Sequence, residues 1–161
     1  MEDADRGVYE INRHAPVIGS CEVEIAAAPE VAWEVLTAIA GWPSWNPAVT
    51  SVSFDGGIDE GAAFRWKAGP GTITSTIRDV DPLHRIAWTG TSFGVKAIHV
   101  HTFESRGDGT LVKTEESYEG LLARLLRRRL QTVLDTTLEG GLQHLKAEAE
   151  RRGAHRASAR S

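Results

Sequence analysis

Residues 121–152 read LLARLLRRRLQTVLDTTLEGGLQHLKAEAERR. Apolar positions recur there three or four residues apart, at Leu122, Leu126, Val133, Leu134, Leu138, Gly141, Leu142 and Leu145, the spacing of one face of a long helix. The opposite face carries Arg124, Arg127, Arg128, Glu139, Lys146 and Glu150, whose charges belong in water, so the helix is half buried. Its apolar stripe needs a cover. Nearly everything upstream has the two-residue alternation of strands, which predicts an α+β chain: a curved antiparallel sheet wrapped around a long C-terminal helix.

A chain of 161 residues suits one domain with a sizeable core. Its single cysteine, Cys21, excludes an internal disulfide framework. The first twenty residues lack a basic start followed by an apolar run, and no window approaches the ~20 apolar residues of a membrane span. The expectation is a cytoplasmic protein without stable membrane insertion. A net charge of -4 argues against a general nucleic-acid binder, because phosphate binding relies on a basic surface.

In chain order, residues 1–16 are polar apart from Val8, Tyr9 and Ile11 and read as a mobile arm that lies against the domain. The domain proper spans 17–152. It begins with an alternating strand, Val17 to Ile25, in which Cys21 points inward as a structural thiol. Pro29 opens a short helix to Ala40, with Val31, Val35, Leu36 and Ile39 on its buried face. Gly41-Trp42-Pro43-Ser44-Trp45-Asn46-Pro47 is too constrained for a regular helix and too aromatic for a solvated loop, so it forms a rigid, partly buried corner. Strands follow at about 49–55, 62–68, 72–80, 85–89, 95–105 and 111–119, separated by Gly56-Gly57, Gly69-Pro70-Gly71, Asp81-Pro82, Gly90 to Gly94 and Gly107-Asp108-Gly109. They read as an antiparallel meander. Residues 153–161, rich in Ala, Ser and Arg, read as a disordered tail.

The motifs Pro29-Glu30-Val31-Ala32-Trp33-Glu34-Val35-Leu36, Trp45-Asn46-Pro47, Val80-Asp81-Pro82, Arg85-Ile86-Ala87-Trp88, Gly107-Asp108-Gly109-Thr110 and Glu116-Ser117-Tyr118-Glu119-Gly120 occur in that order. In order and spacing, from about residue 17 to 151, the chain resembles the START-related helix-grip (SRPBCC) superfamily, most nearly its polyketide cyclase/dehydrase branch. The resemblance implies a helix-grip fold: a curved seven-stranded antiparallel sheet around a long C-terminal helix, with two short helices after the first strand. It also implies an apolar cavity between sheet and helix that holds a small hydrophobic ligand, aromatic, polycyclic or lipid-like. Fold alone does not choose between an enzyme, a noncatalytic lipid or metabolite carrier, and a co-chaperone-like protein-interaction module with a filled core.

Parity selects the inward residues. Val112, Thr114, Glu116 and Tyr118 share one face of the last strand, and Phe103 places Ala97, His99 and His101 inward on the strand before it. The expected ligand wall is Trp42, Trp66, Ile77, Trp88, His99, Thr114 and Tyr118 on the sheet and corner, with Leu126, Leu130 and Val133 from the helix. This is an apolar surface with a few polar groups, as small-molecule sites usually are. Trp45 and Asn46 are instead expected to brace the corner. His101 and Glu116 are the candidates for chemistry: a carboxylate beside an imidazole can set its protonation for proton transfer at an enolisable carbonyl. The same pair can equally be two buried polar groups satisfying each other.

Other chemistries lack residues. His99 and His101 have no clear third ligand, so no metal is expected, and no cofactor-binding motif occurs. No Gly-x-Ser-x-Gly elbow is present and Cys21 has no activating base. Arg124, Arg127, Arg128 and Arg129 form a basic cluster that reads as a solvated face or a docking point for an acidic carrier protein; a homodimer stays open. Gly140-Gly141 within the helix allows either a close approach of the sheet or room for a ligand.

Overall fold

The alternation at residues 17–25 forms an edge strand, β1 (Val17–Ile25), with Val17, Gly19 and Ile25 buried. The computed structural model describes residues 7–161. Pro29 sits in the first turn of α1 (Pro29–Thr37), which buries Val31, Ala32, Val35 and Leu36. The Trp-Pro corner closes as a short 3-10 helix, Ile39–Ser44, with Pro43 inside it. Asn46 ends the corner by accepting the Ala48 N–H at 3.1 Å on its side-chain oxygen.

Six further strands follow: β2 (Val49–Ser53), β3 (Ala63–Ala68), β4 (Gly71–Asp81), β5 (Arg85–Ser92), β6 (Val95–Arg106) and β7 (Gly109–Glu119). They pair antiparallel in the order β1-β7-β6-β5-β4-β3-β2, one seven-stranded sheet. Its concave face grips the C-terminal helix and α1, the arrangement expected of a helix-grip fold.

The C-terminal stretch departs from a single helix over 121–152. It is two helices, α2 (Leu121–Leu125) and the 33-residue α3 (Arg127–Ala159), separated at Leu126, whose φ of -105° and ψ of 25° break the helical ladder. Beyond that break the buried stripe is Leu134, Leu138, Leu142, Leu145 and Ala149, whereas Leu126 and Val133 are 42% and 47% exposed. The expected disordered tail at 153–161 is also corrected, because α3 continues through it to Ala159. Gly153 lies against Ala27, and Arg156 pairs with Glu34 of α1 at 2.5 Å, which gives the added turns a surface to rest on.

The described part of the arm, residues 7–16, is docked rather than mobile; residues 1–6 lie outside the described residues. Ile11 is buried on the outer face of the sheet against Ala87 and Val100, with Tyr9 beside it. The Asn12 N–H donates to Ser117 Oγ at 3.1 Å, the Tyr9 N–H donates to Asp79, and the Arg85 guanidinium donates to the Tyr9 carbonyl. An outward apolar residue and matched polar groups on β4, β5 and β7 thus cover sheet surface that would otherwise be wet.

Helix and sheet come closest at β1, and the glycine there makes it feasible. A Cβ on Gly19 would lie 2.8 Å from Leu138 Cδ1 and 3.0 Å from Leu134 Cγ. Gly19→Val is therefore expected to lower stability by about 1–3 kcal/mol through overpacking. Thermal or urea unfolding of the variant measures this, and an unchanged midpoint would mean that the helix can shift away freely.

Candidate functional site

Antiparallel register carries one row of side chains across the sheet: Ile77 of β4, Trp88 of β5, His99 of β6, Glu116 of β7 and Gly19 of β1 are successive cross-strand partners. The neighbouring inward row holds Ile86, His101, Thr114 and Cys21. Between these rows, the Trp-Pro corner and α3 lies a space of about 90 Å³. Trp42, Trp45 and Asn46 bound it from the corner, Trp66 and Trp88 from the sheet, His99, His101 and Thr114 from its middle, and Thr137, Leu138, Gly141, Leu142 and Leu145 from α3. Leu36, Ala48, Val49 and Ala68 complete the lining, and the exposed Ala48 and Thr137 mark the side nearest solvent.

The wall is chiefly indole. Trp42 meets Phe64, Trp66 and Trp88 with ring centroids 5.7, 5.3 and 5.6 Å away, the first two edge to face. Two of the indole N–H groups are held: Trp42 donates to the Leu36 carbonyl at 2.8 Å and Trp66 to Ser75 Oγ at 3.0 Å. Trp88 stacks on His101 at 5.1 Å, and the two imidazoles lie 4.3 Å apart.

His99 sits between two polar groups. Its Nε2 is 2.6 Å from Thr114 Oγ1, and its Nδ1 is 3.6 Å from a Glu116 carboxyl oxygen, longer than a hydrogen bond. The close contact is too buried to be an ion pair. Burial pushes the Glu116 carboxyl up to about 8 and the His99 imidazole down to about 3, so both are neutral at pH 7. Burial, with His99 beside it, also holds His101 well below its ordinary 6.5, and burial with Glu116 nearby raises the Tyr118 phenol.

Of the residues expected at the site, Trp42, Trp66, Trp88, His99, His101 and Thr114 come together around the space. The others do not line it. Ile77 is fully buried in the main core, Glu116 stands behind His99, and Tyr118 and Leu130 pack with Val17, Leu134 and Leu138. Leu126 and Val133 face solvent: Leu126 lies at the break between the two helices, and Val133 sits about 100° around α3 from the buried Leu134. The imidazole opposite Glu116 is that of His99, not His101, because the β6–β7 turn has two residues, Gly107 and Asp108, and pairs Arg106 with Gly109. Reading Gly109 as strand rather than turn would have found this register.

Trp45 and Asn46 were expected only to brace the corner, and both also line the space. The Trp45 Nε1 and His101 Nδ1 atoms are buried without any hydrogen-bond partner. The helix glycines can now be assigned. A Cβ on Gly140 or Gly141 meets nothing within 4 Å, so neither serves close packing, and Gly141 borders the space.

Residues 19–150 match the family described as polyketide cyclase / dehydrase and lipid transport. The chain belongs to that family. Among curated proteins none matches it in sequence. The polyketide cyclase/dehydrase architecture is similar to that of the Zhui aromatase/cyclase from Streptomyces sp. R1128, at 21% identity over 84% of this chain and 94% of that one, with a TM-score of 0.74. A START superfamily protein from Mycobacterium smegmatis is 18% identical over 86% of this chain and 97% of the other, TM-score 0.61. A hypothetical protein, jhp0584, from Helicobacter pylori is 15% identical over 89% and 98%, TM-score 0.77. At these identities the likeness is one of fold. Among the described residues no group of three His, Cys, Asp or Glu side chains is placed to hold a metal, and no helix is long and apolar enough to cross a membrane.

Proposed function

We propose that this member of the polyketide cyclase/dehydrase family binds a small hydrophobic molecule between sheet and α3, with a ring seated against Trp42, Trp66 and Trp88. The observation that carries this reading is the unfilled space itself. An ordinary core brings side chains into van der Waals contact, whereas here four indoles, two imidazoles and a helix glycine border about 90 Å³ of room. That volume suits one ring and leaves any longer portion of a ligand on the side of Ala48 and Thr137. Native mass spectrometry of the purified protein, compared with its denatured mass, is expected to release a hydrophobic compound. A bare protein whose tryptophan fluorescence also ignores a panel of aromatic and lipid ligands would argue for a filled core.

A catalytic role has one feature in its favour. Glu116, His99 and Thr114 form a file of polar groups leading from behind the sheet row to the cavity wall. The hydrogen-bonded imidazole and hydroxyl can pass a proton to an enolisable carbonyl held in the space, with the neutral Glu116 carboxyl 3.6 Å behind the imidazole. His101, beside this file and in contact with the cavity, would orient the substrate. In this reading His101 or Glu116 variants lose rate and keep affinity, while a carrier depends on the tryptophan wall and is indifferent to Glu116. The protein-interaction reading draws on a different surface, the exposed Phe93, Leu121 and Leu125.

A further inference from the structure

Leu121 and Leu125 of α2 turn their side chains to water, 73% and 71% exposed, and Phe93 on the β5–β6 turn is 70% exposed. These elements touch. A Cβ on Gly120 would lie 2.5 Å from the Gly94 carbonyl oxygen, so the start of α2 rests on the turn that carries Phe93. None of the three side chains lines the space between sheet and α3. Large apolar side chains gathered on a surface mark a place of contact. The turn supplies an independent sign. Ser92 pairs with Val95, which leaves Phe93 and Gly94 as a two-residue turn with φ of 51° and 74°. Such a turn favours Asn, Asp or Gly at its first position, and a bulky residue there adopts a backbone region it disfavours. The Phe93 ring lies over Gly71, where a Cβ would collide with it, yet most of the ring stays in water. Folding gains little from a phenylalanine at this position.

Charge indicates what this surface meets. Residues 120–134 hold Arg124, Arg127, Arg128 and Arg129 and no Asp or Glu, on a chain whose net charge is -4. All four arginines are exposed, and among the described residues none is ion-paired. We infer that this end of the protein docks reversibly on an anionic lipid bilayer, with Phe93, Leu121 and Leu125 entering the interface and the four arginines lying against lipid phosphates. Apolar side chains flanked by basic ones suit a segment that lies in the plane of the interface. An anionic leaflet attracts each basic side chain near it, and long arginine stems let the guanidinium groups reach headgroup level. Association is peripheral, because no described helix is long and apolar enough to cross the bilayer. A second copy of the chain is a poor occupant, since it would set one arginine cluster against another. A folded acidic protein would need pockets matched to three separate projections, whereas a fluid interface closes around them.

Co-sedimentation of the full chain with vesicles tests this, using phosphatidylcholine alone and an equimolar mixture of phosphatidylcholine and phosphatidylglycerol. The expected result is binding to the mixed vesicles at least about tenfold tighter than to the neutral ones, weakening as salt rises from ~0.1 to ~0.5 M. Changing Arg127, Arg128 and Arg129 together to Gln should cost about a hundredfold, at about fivefold for each charge near the surface. Phe93→Asn should lower vesicle affinity about tenfold while maintaining or raising the unfolding midpoint, because asparagine suits the turn that phenylalanine strains. Leu121→Ser with Leu125→Ser should weaken binding by a similar factor. Equal binding to both kinds of vesicle would overturn the role of the arginines. Full affinity in the folded Phe93 and leucine variants would overturn entry of the apolar side chains. Failure to bind either vesicle would overturn the inference outright, and capture of soluble polyglutamate through the same arginines would then assign the surface to an acidic protein.

Discussion

Gly141→Leu is expected to weaken binding of an aromatic ligand by at least about a hundredfold while leaving the protein folded. The leucine side chain starts from a position where a Cβ meets nothing within 4 Å, on a helix that borders a space of only about 90 Å³. Four added carbons fill much of that volume, so a ring must displace them or stay out. The backbone has the opposite preference. Glycine within a helix costs roughly 1 kcal/mol relative to alanine, so leucine should maintain or raise the unfolding midpoint. This opposition separates a blocked site from a damaged fold. Gly140→Ala supplies the companion, with a similar gain in helix stability. Titration of p-cresol into both variants, beside urea unfolding, gives the answer. Wild-type affinity in a stable Gly141→Leu protein would place the ligand somewhere other than between sheet and helix.

Glu116→Gln should change the shape of the stability profile with pH. In the folded protein burial raises the Glu116 carboxyl from its ordinary 4.5 to about 8, so the unfolded chain ionises first as pH rises. Its stabilising contribution is complete below 4.5 and is lost progressively up to 8. His99 has the reverse sign: its imidazole falls from 6.5 to about 3, so its contribution is complete above 6.5 and is lost as pH falls through 3. Between 4.5 and 6.5 the two slopes oppose each other, and the pair gives a plateau. His101 adds to the loss on the acid side. The glutamine variant cannot ionise, so its advantage over wild type should grow from pH 4.5 to 8 and reach on the order of a few kcal/mol. Urea unfolding at pH 5, 7 and 9 measures the difference. Parallel profiles would mean that Glu116 reaches water in solution.

Much of the fold was readable because local patterns and tertiary demands agree. Alternation marked β1 and β4 to β7, paired glycines and Asp-Pro marked turns, and leucines spaced along residues 134–145 marked the buried face of α3. The inward parity of His99, His101, Thr114 and Glu116 followed from the same period of two. Three features escaped that logic. Leu126 and Val133 fit an apolar stripe by spacing, but Leu126 falls at the break between the helices and Val133 lies about 100° around α3 from the buried Leu134. Tail residues 153–159 have a composition usual in disordered chain, yet Gly153 and Arg156 find Ala27 and Glu34. The arm at Tyr9 and Ile11 has too few apolar residues to form an element alone, and is ordered by a sheet face assembled from β4, β5, β6 and β7.

The sequence by itself determined the architecture and its family, because periodicity and turn chemistry act between near neighbours and can be read from order alone. Which imidazole meets Glu116, which indole lacks a partner and where the helix leaves room were decided by the tertiary structure. Each depends on a strand register, a helix phase or a corner angle, and one residue of slip in any of them exchanges the groups that touch.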